Sequence, residues 1–367
     1  MAELIGDGDV ANFADFDNSA RVASILEGRR SSQTLPVIDF TPFACDGSAE
    51  ARRSIASQLR AACVKTGFFY LVNHGVSEQE FEIAHDFGHL FFMQPRAEKQ
   101  KIAKIHHPAR QGWMATGGMN PDENPDPDAD QKETLNLPRE LLPGEPPGNP
   151  VVGNGLWPDP ARVPGFREFM SAHILKRVRI GQKLCRALSL SLDLPEDFLD
   201  EAHRFPNVAL TYNYYPPVDP RAAGRTQWGI SPHTDYGTFT LLSQDSLGGL
   251  EVRDDRNEWI DVPPVPGAFV VNLGDLFSRW TNGVYRSSLH RASNFSGAGR
   301  ARVSLPLFFN PYPKTVVSCL PSCQGPGRPP KYEPVEAGPY VRALVAQSER
   351  TGRPGVTRNT ANERFRH

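Results

Sequence analysis

Ser231-Pro-His-Thr-Asp-Tyr-Gly-Thr-Phe-Thr-Leu-Leu-Ser-Gln-Asp245 places a histidine and a carboxylate, His233 and Asp235, two residues apart at a strand end. Residues i and i+2 of a strand project to one face, so both side chains can meet one ion. His290 follows 57 residues later (290 − 233), a span long enough for several strands to bring a third ligand back. Two imidazoles and one carboxylate on one face of a ferrous ion leave three positions open for chemistry. Zinc accepts the same groups, and a lone His-x-Asp is more often a turn or a satisfied surface pair. The surrounding sequence has to decide.

Arg302 stands 12 residues past His290 (302 − 290), with Ser304 two residues on. On one strand the two share a face, and the donor fork of a guanidinium suits a carboxylate. An isolated Arg-x-Ser is usually a surface arginine beside a buried serine. Here it is followed by Leu305-Pro-Leu-Phe-Phe-Asn-Pro311, and it favours iron with an anionic cosubstrate.

The metal segment, continued by Leu247-Gly-Gly-Leu-Glu-Val252, closely resembles the core of the isopenicillin N synthase-like iron(II) and 2-oxoglutarate-dependent oxygenases. Asn213-Tyr-Tyr-Pro-Pro217, Val271-Asn-Leu-Gly-Asp275, Ser287-Ser-Leu-His-Arg291 and the Arg302 strand are similar to further segments of that family, in the same order. Leu35-Pro-Val-Ile-Asp-Phe40 and Gly67-Phe-Phe-Tyr-Leu-Val-Asn-His-Gly75 resemble its opening, so the likeness spans about residues 35 to 345. The resemblance implies Fe(II) held by His233, Asp235 and His290. It implies 2-oxoglutarate chelating that iron, its distal carboxylate on Arg302, Ser304 and Tyr215 with Asn213 nearby, and dioxygen as the oxidant. The expected reaction hydroxylates, desaturates or otherwise oxidises a small-molecule metabolite, with release of succinate and carbon dioxide, and the family suggests secondary metabolism.

The family's cosubstrate segment often ends Tyr-Pro-x-Cys, whereas Tyr215-Pro-Pro-Val218 stands here with the tyrosine and asparagine in place. Relatives with the same triad and Arg-x-Ser pair include 2-oxoglutarate-independent oxidases of the isopenicillin N synthase and aminocyclopropane-carboxylate oxidase types. An ethylene-forming enzyme that fragments 2-oxoglutarate, and a non-catalytic iron- or oxoacid-binding module, also fit these motifs. Against the last, every ligand and clamp position holds the required residue type.

Composition describes an ordinary globular chain, with 39% hydrophobic and 22% charged residues among 367. A formal charge of −2 gives no basic footprint for nucleic acid or an anionic membrane. No apolar run has the length of a membrane span, and the first residues lack the pattern of a signal peptide, so the cytoplasm is the expected compartment. Cys45, Cys63, Cys185, Cys319 and Cys323 are scattered and odd in number, which argues against a disulfide framework, and Cys319 and Cys323 read as two loop thiols. The oligomeric state stays open.

The patterning divides the chain into a flexible lead-in (1–34), one oxygenase domain (35–350) and a polar tail (351–367). A short helix is expected at 20–26 in the lead-in. Within the domain, a helical part (35–205) precedes a core at about 206–312 and a last helix at 338–348. Helices are expected at 49–66, with Ile55, Leu59, Ala62 and Cys63 on one face, at 78–93, and at 166–192, with a buried strand at 68–72. Residues 106–164 lack periodicity and read as a lid segment. Eight short β-rich runs, at 208–215, 228–234, 237–243, 248–253, 258–262, 267–273, 284–290 and 301–310, predict a jelly roll. The fold class is therefore mainly β with flanking helices, a single-domain double-stranded β-helix. Arg110, Trp113, Tyr212, Trp228 and Phe308 are the candidate substrate-pocket residues, Phe308 by its parity with Arg302 and Ser304.

Overall fold

Alternation along the strands from residue 207 onward sorts the side chains between two facing sheets and a helical layer. The structure is a computed structural model describing residues 33–107, 111–116, 130–146, 152–153, 155–217, 229–293 and 299–351. Nearly all of the lead-in with its short helix, the polar tail beyond 351, and the pocket candidates Arg110 and Trp228 lie outside the described residues.

The strands are β1 (Val37–Asp39), β2 (Phe68–Val72), β3 (Gly112–Met114), β4 (Glu133–Leu137), β5 (Asn207–Tyr215), β6 (Ile230–His233), β7 (Phe239–Gln244), β8 (Leu250–Arg253), β9 (Trp259–Val262), β10 (Phe269–Leu273), β11 (His290–Ala292), β12 (Arg302–Asn310), β13 (Val316–Val317) and β14 (Val335–Glu336). Eight form the major sheet in the order β1-β2-β10-β7-β12-β5-β4-β3, and four the minor sheet, β6-β11-β8-β9. The helices are α1 (Thr41–Ala44), α2 (Ala49–Lys65), α3 (Glu78–Phe92), α4 (Arg96–Gln100), α5 (Phe166–Ser191), α6 (Asp275–Trp280) and α7 (Ala337–Thr351). Ser77 and Glu80 form a reciprocal capping box that starts α3, and the Ser48 hydroxyl accepts from Ala51 N–H to start α2. No helix among the described residues is long and apolar enough to cross a membrane.

Parity assigns each layer. Phe68, Tyr70, Val252, Ile260 and Val270 close one core between the two sheets. Phe69 and Leu71 of β2 and Val303, Leu305, Leu307 and Phe309 of β12 turn the other way and pack against α2, α3 and α5, with Leu59, Ile174, Val178 and Leu184. Burial of each such side chain stabilises the fold by about 1.5–3 kcal/mol.

Two sequence expectations need correction. The 106–164 segment supplies β3 and β4, which extend the major sheet beyond β5 through Thr134–Asn213 and Asn136–Thr211 pairing. These strands are three and five residues long, too short to show a period within a loop-rich stretch. The strand expected at 284–290 begins only at His290, because the preceding chain leaves α6 through turns and Tyr285 is pinned through its hydroxyl to Ser191. Helix α6 has no counterpart among the expected elements, since six residues are less than two turns and show no period.

The helix–sheet interface holds several buried basic groups. Arg177 donates from Nε to His173 Nε2 at 2.9 Å, from Nη1 to Leu305 O at 2.9 Å and from Nη2 to Ser243 Oγ at 2.8 Å. Burial lowers its guanidinium to about 9. Burial also lowers the imidazoles of His74 and His203 to about 4 and of His85 to about 3, and His173 well below its ordinary value.

This packing makes stability sensitive to pH. The depressed histidines stay neutral in the fold while the unfolded chain takes up protons below about 6.5, so stability is complete above that pH and is lost as pH falls towards 4. Each group contributes up to about 1 kcal/mol per pH unit, and thermal unfolding of the metal-free protein at pH 7.5 and 5.5 reads the difference; an unchanged midpoint would contradict it. At Gly181 of α5 an added Cβ would collide with the Phe309 ring. Gly181→Ala is expected to destabilise by about 1–3 kcal/mol in denaturant unfolding.

Candidate metal and cosubstrate site

The minor sheet brings the two distant histidines together. His233 ends β6 and His290 opens β11, and the two are directly paired across the antiparallel ladder, with ring centroids 4.2 Å apart. Asp235 follows β6 by two residues, and its Oδ1 lies 3.9 Å from His233 Nε2 and 3.8 Å from His290 Nε2. One ligand atom from each of the three falls within 4.8 Å of the others, and all three residues are buried.

The remaining polar atoms of the triad are all engaged. His233 Nδ1 lies 2.8 Å from Ser231 O and His290 Nδ1 3.1 Å from Ser288 O, each placing an N–H against a carbonyl and leaving Nε2 with its lone pair. Asp235 Oδ2 accepts from Thr240 Oγ1 at 2.5 Å and from Asn272 Nδ2 at 2.7 Å. What remains is Nε2, Nε2 and Oδ1 converging on one point, a set suited to a borderline divalent cation. Burial, then the neighbouring His290, push the His233 imidazole down to about 3. Burial also raises the Asp235 carboxyl, but the two imidazoles with Asn272 and Thr240 outweigh it and hold the group below its ordinary value.

The clamp residues lie on the barrel-facing side of the major sheet. β12 runs in unbroken register beside β5, pairing Arg302 with Tyr215 and Ser304 with Asn213, so all four residues share that face. Arg302 is buried over the Tyr215 ring at 4.8 Å. Its Nε donates to Gly248 O at 2.6 Å and its Nη2 to Gln244 Oε1 at 3.3 Å, whereas Nη1 is buried with no acceptor among the described residues. A buried donor without a partner is costly, and a ligand carboxylate beside Ser304 would satisfy it.

Parity separates the pocket candidates. Phe308 shares the face of Arg302 and Ser304, pairs with Thr240 and is half-buried. Trp113 and Tyr212 face the helices instead, which corrects their assignment as pocket residues. Trp113 pairs with Leu135 and donates from Nε1 to Glu133 Oε2 at 2.7 Å, while Tyr212 is fully buried and donates to Ala84 O at 2.7 Å. Thr240, Asn272 and Gln244 are site residues that sequence reading missed, because their partners are 5, 37 and 58 residues away. The available signal was their place in quoted motifs, Thr240 and Gln244 inside Ser231–Asp245 and Asn272 inside Val271–Asp275.

The 2OG-Fe(II) oxygenase superfamily matches residues 206–311, and the N-terminal region described as non-haem dioxygenase in morphine synthesis matches residues 35–160. A 2-oxoglutarate-Fe(II) type oxidoreductase of Metarhizium majus is 34% identical over 334 residues, covering 84% of this chain and 85% of its own. Kihadalactone A synthase of Citrus sinensis is 31% identical, covering 80% of this chain and 87% of its own. Among solved structures, a full-length Neurospora crassa protein in complex with alpha-KG and thymine superimposes with a TM-score of 0.75 at 26% identity, covering 87% of this chain and 100% of its own.

Asn272→Leu and Thr240→Val each remove one hold on Asp235. Each is expected to weaken cobalt(II) binding to the metal-free protein by about 10- to 100-fold, read anaerobically from the visible spectrum, and unchanged affinity in both would refute this role.

Proposed function

The chain belongs to the 2OG-Fe(II) oxygenase superfamily, and on that premise we propose that His233, Asp235 and His290 are its iron ligands and that Arg302, Ser304, Tyr215 and Asn213 bind 2-oxoglutarate. The protein is an iron(II)- and 2-oxoglutarate-dependent dioxygenase, with dioxygen as co-substrate and a small molecule as organic substrate. The convergence of three free donor atoms, each on a side chain whose other polar atom is already bonded, carries the ligand assignment.

Iron with 2-oxoglutarate supplies oxidation of a substrate C–H group coupled to decarboxylation to succinate and carbon dioxide. The chain's own residues position and shield. The Ser231 and Ser288 carbonyls orient the imidazoles, and Thr240 with Asn272 aims Oδ1 of Asp235 at them. Arg302, held by Gly248 and Gln244, presents Nη1 to the distal carboxylate while the Tyr215 ring covers the guanidinium. Phe308 and the core around Phe68 keep water from the space between the sheets. The reading further takes residues 35–350 as one oxygenase domain working in secondary metabolism, as the synthase among its relatives supports. It assigns the enzyme to the cytoplasm, in keeping with its five free cysteines.

Anaerobic addition of iron(II) and then 2-oxoglutarate should produce the visible charge-transfer band of keto-acid chelation. Arg302→Ala should raise the 2-oxoglutarate dissociation constant by about 30-fold or more, the effect of leaving a carboxylate without its cation, and Asp235→Ala should abolish the band. Iron binding with no band would overturn 2-oxoglutarate as cosubstrate.

A further inference from the structure

The barrel-facing side of β4 and β5 holds a second polar pair that neither the triad nor the clamp uses. Thr211 stands two residues before Asn213, hence on the same face, and pairs across the sheet with Asn136. The Thr211 hydroxyl donates to Asn136 Oδ1 at 2.9 Å. That bond consumes the hydroxyl proton and orients the amide, so Asn136 Nδ2 keeps its N–H donors and Thr211 Oγ1 keeps acceptor capacity. Asn136 is half-buried, while Thr211 is buried.

A direct row links this pair to the triad. Thr240, which holds Asp235, pairs with Phe308, and Phe308 pairs on its other side with Ala209. Ala209 is two residues from Thr211 on the same face of β5. The row therefore runs from the triad carboxylate over an aromatic ring and a small side chain to a neutral amide and hydroxyl. Beyond that carboxylate, none of its members is charged.

Resting on the oxygenase reading above, we propose that Asn136 and Thr211 form the polar subsite for the organic substrate, with Phe308 and Ala209 as its apolar wall. The substrate then has an apolar body and presents a carbonyl or comparable acceptor oxygen to the Asn136 amide. Asn136 and Thr211 are themselves neutral, and the Lys132 cation, which contributes to lowering the His233 imidazole, stands four residues before Asn136, so the pair selects for an acceptor oxygen and not for a charge. The pair acts in discrimination rather than in the chemistry, because the atoms it offers are fixed hydrogen-bonding groups.

The test uses the full chain loaded anaerobically with iron(II) and 2-oxoglutarate, whose charge-transfer band first reports on the oxygenase reading by itself. Acetophenone and ethylbenzene, matched in shape and differing in the acceptor oxygen, are then titrated, and dissociation constants are read from perturbation of the band. Acetophenone is expected to bind about 3- to 10-fold more tightly, the effect of one neutral hydrogen bond. Asn136→Leu should erase that preference without changing ethylbenzene, the isosteric Asn136→Asp should reverse it, and Phe308→Ala should weaken both probes. Retention of the band in each variant shows that the fold survives. No acetophenone binding, equal affinities in the native protein, or a preference that persists in both Asn136 variants would overturn the subsite while leaving the oxygenase reading intact. Absence of the band in the native protein would overturn both.

Discussion

The carboxylate of Asp235 ties the two sheets together. Its Oδ1 faces the histidines of the minor sheet, and its Oδ2 is held by Thr240 of β7 and Asn272 of β10 in the major sheet. The backbone beneath it is equally constrained. The first three N–H groups of α6, from Asp275, Leu276 and Phe277, donate to the carbonyls of Asp235, Tyr236 and Gly237. These donors have no partner within a helix, so the loop completes α6 and α6 fixes the loop. A Cβ at Gly274 would run into the Gly237 backbone, and one at Gly237 into the Asn310 side chain.

The helical layer supports the same geometry from behind. Arg177 binds Ser243 and the Leu305 carbonyl, and those residues immediately neighbour Gln244 and Ser304 on the opposite face. A buried guanidinium whose three bonds all go to neutral acceptors favours neutral imidazoles around it. Charge repulsion from Arg177 contributes to the lowering of His74, His85 and His173, after burial itself. The cations on the two sides of the major sheet thus differ: each nitrogen of Arg177 is bonded to a protein group, while Nη1 of Arg302 has no acceptor among the described residues.

Strand parity explains which site residues were legible. Arg302, Ser304 and Phe308 have even spacing on one unbroken strand, so reading any one assigned the face of the others. Trp113 and Tyr212 resemble pocket residues because they are large aromatics near the right motifs. Each sits one position out of phase, and a shift of one residue moves a side chain to the other side of the sheet. Thr240 and Asn272 lie inside motifs that the sequence offered, but threonine and asparagine on strands have many roles and their grip on Asp235 crosses between elements.

The order of residues along the chain set the chemistry available: two imidazoles, one carboxylate, a guanidinium and a hydroxyl, at a spacing that specifies a jelly roll with a metal site between its sheets. Short-range alternation carried this information, because the side-chain period of a strand is a local property. The pairing of His233 with His290, the grip of Thr240 and Asn272 on Asp235, the addition of β3 and β4 to the sheet, and the meeting of Asn136 with Thr211 came from the folded arrangement alone. Each depends on register between strands distant in the chain, and register is set by the packing of whole sheets rather than by any one segment.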